Sequence, residues 1–335
     1  MRHRTAAVLF ALALVVAACG SDDGAADTTA PDTTAAAAPV VLATTTILGD
    51  ITQQVAGGEV QVEVLMPLGA DPHAYEASAQ QAALMREADL IVANGVGLEG
   101  GLLDVIAQAE AEGVTVLRVG DLLDPQPFVG PMDHDHGDED DHDHGDEGDH
   151  GDEGDHDHEG GLDAHVWMDP IRMAEAAGLI GEALAPTLGD EVLERAAAYQ
   201  DELRALSAEI QAAIATIPAE RRVLVTNHFA YGYYADRYGL EMLGTVIPAA
   251  TTEAETSAAQ FAELVELIEE EGVPAIFGST TEPVTLAEAI AEEVGYPVEV
   301  IQLYTGSLGE AGSGAETYVD MMRTSTERIV TALIG

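Results

Sequence analysis

Apolar positions along the chain fall into two alternating rhythms. Short runs rich in β-branched residues read as strands at Val40 to Thr45, Val60 to Met66, Leu90 to Asn94 and Val114 to Val119. Between them, apolar residues three and four apart predict helices over Ser78 to Glu87 and Leu102 to Glu112, with a further helical stretch between the first two strands. Strands alternating with helices imply a parallel sheet covered on both faces. In such sheets ligands gather at the carboxyl ends of strands, the place this reading gives to His73.

The rhythm returns farther along. Val223 to Asn227, Glu241 to Ile247, Ala275 to Phe277 and Val298 to Leu303 read as strands, and helices are predicted over Tyr231 to Tyr238, Ser257 to Glu271, Thr285 to Val294 and Glu316 to Ile334. Capping boxes are expected from Ser257 with Gln260, Thr285 with Glu288 and Ser313 with Glu316. Glu253 and Glu255 are read as helix-capping residues in preference to docking residues. Between the two series Pro170 opens a helical segment, and the longest uninterrupted one spans Asp190 to Ile217 before Pro218 stops it. Val192, Ala196, Tyr199, Leu203, Leu206 and Ile210 step along it by three and four. It would run roughly 40 Å, enough to join two domains. The expected fold class is α/β: two lobes, each a parallel sheet flanked by helices, joined by one long rigid helix. The lobes are residues 40–189 and 218–335, and the linking helix is 190–217.

The N-terminus carries a different signal. Met1 to Arg4 is basic, Ala6 to Ala18 is apolar, and Val16-Ala17-Ala18-Cys19-Gly20 resembles a bacterial lipobox. Residues 1–19 are therefore expected to be a lipoprotein signal peptide, cleaved before Cys19, whose sulfur takes the lipid. Cys19 is the only cysteine, so no internal disulfide can form. Residues 20–39 are small, polar and Pro-punctuated, the composition of a flexible tether. No other run is long and apolar enough for a transmembrane helix. The expectation is an extracytoplasmic monomer, on the outer face of the cell membrane and touching it through the lipid anchor only.

Charge narrows the partners. The formal net charge is −49, which argues against nucleic acid and favours cations. Part of it lies in Asp133 to Gly160, with fifteen carboxylates, seven histidines (His134, His136, His142, His144, His150, His156 and His158) and no apolar side chain, and the remainder is still strongly acidic. Nothing there repays the entropy of ordering, so a disordered loop is expected. Imidazoles interleaved with carboxylates attract zinc and similar divalent ions, and carboxylates alone would have served as a merely solvated charge run.

Outside this loop and the signal peptide only His73, His165 and His228 remain. Each follows a predicted strand or opens a helix, and two sit in Asp-x-His contexts, Asp71-Pro72-His73 and Asp163-Ala164-His165. Singly, each reads more readily as a satisfied loop histidine. Together, beside a metal-attracting loop, they are candidate ligands for a borderline-soft divalent ion, with a fourth position for water or a carboxylate. Such ligands must be unprotonated, so affinity is expected to fall as pH drops through the histidine range. Trp167, Tyr231, Tyr233 and Tyr234 flank two of these segments and read as packing around a cleft.

From about Val40 to the C-terminus, the loop excepted, the chain resembles the solute-binding proteins of ATP-binding-cassette importers that take up zinc or manganese. The segments that carry the resemblance are GADPHAYE (69–76), DAHVWMDP (163–170), VTNHFAYGYYADRYGL (225–240), TTEAETSAAQFAELVELI (251–268) and LYTGSLGEAGSGAETYVDMM (303–322). The resemblance implies that His73, His165 and His228 are metal ligands, that the partner is an ABC permease, and that the protein is no enzyme. A histidine at the third position and the His-rich insertion resemble the zinc branch, with Zn2+ as the carried ion and Mn2+ as the alternative. Gly306 departs from the family pattern, since many relatives carry there the Asp that supplies a fourth ligand. Glu76, Glu282, water or a loop residue are the candidates to replace it.

Two other classes share this pattern. A zinc hydrolase also uses three histidines and water, but it needs a general base, and no HExxH motif is present. An extracytoplasmic zinc buffer or chaperone without a transporter would carry the same site.

Overall fold

The computed structural model describes residues 38–128 and 161–335. The expected signal peptide, Cys19, nearly all of the tether and the seven loop histidines lie outside the described residues.

The first lobe runs β1 (Val41–Ala43), α1 (Thr46–Ala56), β2 (Val62–Val64), α2 (Ala79–Arg86), β3 (Leu90–Ala93), α3 (Leu103–Ala111) and β4 (Thr115–Arg118). Its sheet is wholly parallel, in the order β2-β1-β3-β4. Two helices follow, α4 (Pro170–Leu188) and α5 (Glu191–Ile214). The second lobe runs β5 (Val223–Thr226), α6 (Gly232–Tyr238), β6 (Glu241–Thr245), α7 (Ala258–Glu271), β7 (Ala275–Ser279), α8 (Thr285–Glu293), β8 (Glu299–Leu303) and α9 (Tyr318–Ile334). Its parallel sheet has the order β6-β5-β7-β8, the same arrangement as the first. The α/β, two-lobe architecture expected from the hydrophobic rhythm is the one observed.

Strand periodicity explains the layering. In β3, Leu90 and Val92 face one way and Ile91 and Ala93 the other, because successive side chains point to opposite faces. The outer faces close small separate cores, under α2 and α3 in one lobe and under α7 and α8 in the other. The inner faces share a single core with α4 and α5, so that Val92, Ile180, Leu203, Phe277 and Tyr318 belong to one continuous cluster. At 24 residues α5 is about 36 Å long. It does not work alone, because α4 packs along it. Gly181 of α4 makes the approach possible: a Cβ there would lie 2.7 Å from Ala196 Cβ.

Helix ends follow local chemistry. Ser78 with Gln81 and Ser257 with Gln260 form complete capping boxes. Glu253 and Glu255 are exposed and cap nothing, since Ser257 already holds the start of α7. Two expected boxes are corrected. The residue before α8 is Val284, without a side-chain cap, and Thr285 is already helical. Helix α9 begins at Tyr318 with Thr317 as its cap, while Ser313 and Glu316 accept backbone N–H groups of Ala315 and Gly312 in the preceding loop.

Candidate metal centre

The carboxyl ends of both sheets face one cleft, and the three histidines among the described residues meet there. His73 comes from the loop after β2, His228 directly after β5, and His165 from the segment entering α4. All three are buried. His165 Nε2 lies 3.2 Å from His73 Nε2 and 3.2 Å from His228 Nε2. One nitrogen from each ring falls within 4.8 Å of the other two. Donors held about 2.0–2.1 Å from one tetrahedral ion stand about 3.3 Å apart, so the spacing suits a shared cation.

Electrostatics favours the same use. His73 is pushed down to about 2 by burial, and then by charge on His165 and His228. Burial also lowers His165, against the opposing pull of Asp163. Both rings are therefore neutral near pH 7 and can coordinate without first losing a proton.

The family model described as zinc-uptake complex component A, periplasmic (ZnuA), matches residues 41–332. The chain belongs to the ZnuA family. Among its relatives, the zinc-binding protein TroA of Treponema pallidum is 30% identical over 294 residues, covering 86% of each chain. The manganese-binding lipoprotein MntA of Halalkalibacterium halodurans is 27% identical over 290 residues, again 86% of each. Solved structures agree on the fold. Periplasmic TroA superposes with a TM-score of 0.75 at 30% identity, covering 88% of this chain and 99% of that one. A periplasmic metal-binding protein from Candidatus Liberibacter asiaticus gives 0.70 at 24% identity, with the same coverage. As a member of the ZnuA family the chain is a metal-binding component of ABC-type uptake, not an enzyme. Among the described residues no helix is long and apolar enough to cross a membrane.

In this ZnuA-family chain the residues behind the imidazoles decide which nitrogen is offered. Asp163 Oδ1 accepts the His165 backbone N–H (2.9 Å) and lies 2.7 Å from His165 Nδ1. A carboxylate can only accept, so the ring proton sits on Nδ1 and Nε2 faces the cleft bare. Asp71 Oδ1 likewise accepts the His73 backbone N–H (3.0 Å), while its Oδ2 takes the Thr252 hydroxyl from the other lobe (2.6 Å). Trp167 packs against His165, ring centres 5.0 Å apart, and donates its Nε1–H to the Thr305 carbonyl (2.8 Å). The Asp-x-His spacing was the sequence signal for Asp163; nothing local marked Thr252 or Thr305.

The two candidate carboxylates part company. Glu76 is exposed, sits beside Gly101 and does not line the cleft around the histidines. Glu282 is within the cleft, but on the Nδ1 side of His228, with Oε1 3.4 Å from that nitrogen. Neither atom has a hydrogen-bond partner, so the two face each other as a loose pair. Burial alone would raise the Glu282 pKa; His228 and the hydrogen bonds from Ser279 and Asn227 outweigh it and bring the carboxyl below its ordinary range. Gly306 also lines the cleft. A Cβ at Gly306 would lie 2.7 Å from Pro72 Cδ, beside His73. The close approach of this backbone to Pro72 leaves no room for a side chain.

Proposed function

We propose that the protein captures Zn2+ outside the cell membrane and hands it to an ABC permease, with His73, His165 and His228 as the ligands. The observation that carries this reading is the convergence of three buried imidazoles from three separate segments, with His165 Nε2 3.2 Å from the Nε2 of each of the other two. Nitrogen donors suit zinc, whereas manganese prefers carboxylate and carbonyl oxygen. Glu282 lies behind His228, and Gly306 offers no carboxylate, so the donor set stays nitrogen-rich. Water is the natural fourth ligand. The shared inner core and the α4–α5 pair resist wide hinge opening, which favours small lobe shifts on loading. The insertion at 133–160 would gather the ion by many weak contacts, and lipid on Cys19 would keep the monomer at the membrane.

Competition titration against a chromophoric chelator tests this. The expected outcome is one tight zinc site, manganese at least about 100-fold weaker, and loss of the tight site in His228→Ala. Tight manganese with weak zinc would support the manganese reading. Unchanged zinc affinity in His228→Ala would contradict the ligand assignment.

A further inference from the structure

One step behind the triad lies a contact between the second lobe and the segments that lead from β4 into α4, centred on Tyr233. Tyr233, buried in α6 of the second lobe, accepts the Gln126 backbone N–H at its hydroxyl (2.8 Å) and donates that hydroxyl to the Asp163 carbonyl (2.8 Å). Gln126 and Asp163 lie in the segments between β4 and α4 and are themselves paired, the Asp163 N–H donating to the Gln126 carbonyl (2.8 Å). The pairing continues through the antiparallel bridge of Pro127 with Leu162 and the Phe128 N–H on the Gly161 carbonyl (2.7 Å). The main chain of Asp163 is thus held on both sides, by Gln126 at its nitrogen and by Tyr233 at its oxygen.

The side chain of Asp163 is confined by the same helix. A Cβ at Gly232 would lie 2.9 Å from Asp163 Oδ2, so only glycine lets the carboxylate rest against the start of α6. The other oxygen, Oδ1, takes both the backbone N–H and Nδ1 of His165. The Tyr233 ring is fixed separately, with the Arg172 guanidinium 4.8 Å from its centre. Removing the hydroxyl therefore need not move the ring.

We propose that Tyr233 is a positioning residue for metal capture: its hydroxyl fixes Asp163, and Asp163 fixes the His165 imidazole. Helix α6 also directly follows His228-Phe229-Ala230-Tyr231, so His165 and His228 share one frame although 63 positions separate them. His73 is held instead by the loop after β2, through Asp71 and Thr252. The proposal rests on the triad being the metal site.

The test uses the full chain and four variants: Tyr233→Phe, Asp163→Ala, their double variant, and Tyr234→Phe as a control. Tyr234 lies on the same helix, equally buried, with its hydroxyl on Thr326 (2.8 Å) and no link to the triad. Zinc affinity is read by chelator competition, and the His165 Nδ1 proton by 15N NMR of the metal-free protein. Tyr233→Phe is expected to bind zinc about tenfold more weakly, the low end for loss of an orienting partner, with faster exchange of that proton. The double variant should bind no more weakly than Asp163→Ala, because the hydroxyl acts only through Asp163. Tyr234→Phe should lose stability without either change. Wild-type affinity in Tyr233→Phe, multiplied losses in the double variant, or equal weakening in Tyr234→Phe would each overturn the proposal. A wild type that binds zinc no more tightly than His228→Ala would remove the triad reading and this proposal with it. A tight wild type with an unaffected Tyr233→Phe would remove this proposal alone.

Discussion

Histidine in water titrates near pH 6.5, but His73 is held down to about 2, first by burial and then by the two neighbouring rings. The unfolded chain therefore takes up a proton below pH 6.5 that the folded site refuses. By linkage this burial is without effect above that value and destabilises the metal-free protein increasingly as pH falls below it. His73→Gln removes the penalty, so its melting temperature should gain on wild type between pH 7 and pH 5; a constant difference would contradict the burial argument. The same shift alters the metal reading. Proton competition at His73 and His165 moves below the ordinary histidine range, so zinc should be held to lower pH than the residue types alone imply. Glu282 gives a second outcome at this scale. With Glu282 placed to orient the His228 ring from its Nδ1 side, Glu282→Leu should weaken zinc about tenfold, read by chelator competition. A loss as large as that of His228→Ala would make it a ligand instead.

At the scale of elements, the helical and strand rhythms were legible because burial on one face repeats every 3.6 or 2 residues. Chain ends of helices were less so. Ser257 and Gln260 have no competing partner nearby, and their box forms as read. Glu316 is drawn to the Gly312 N–H four residues back, which leaves Thr317 to cap α9. The histidines were visible as the three imidazoles outside the His/Asp-rich insertion and the N-terminal signal, but their supports were not. The job of Tyr233 depends on residues 126 and 163, more than sixty positions away, and reads locally as aromatic packing. Both helices, the one opened by Pro170 and the long one over 190–217, were legible from periodicity, but their packing was not, because Gly181 says nothing in sequence about its approach to Ala196. Gly181→Leu should cost about 1–3 kcal/mol by overpacking, measured by urea unfolding. An unchanged midpoint would mean that the two helices can separate without loss.

For the whole molecule, the two sheets repeat one strand order and share a core, so the cleft between their carboxyl ends is a fixed feature of the fold. The roots of the 133–160 insertion are paired at Pro127 and Leu162, which lets a short linker replace it without disturbing either lobe. The deletion should keep one tight zinc site and lose the weaker ones in calorimetric titration; disappearance of the tight site would transfer it to the insertion. That shortened protein also offers the most direct measurement of the central claim. Anomalous diffraction at the zinc edge from loaded crystals should give one strong peak about 2.0–2.1 Å from the Nε2 atoms of His73, His165 and His228. A peak elsewhere, or one reached by fewer than these three rings, would contradict the account.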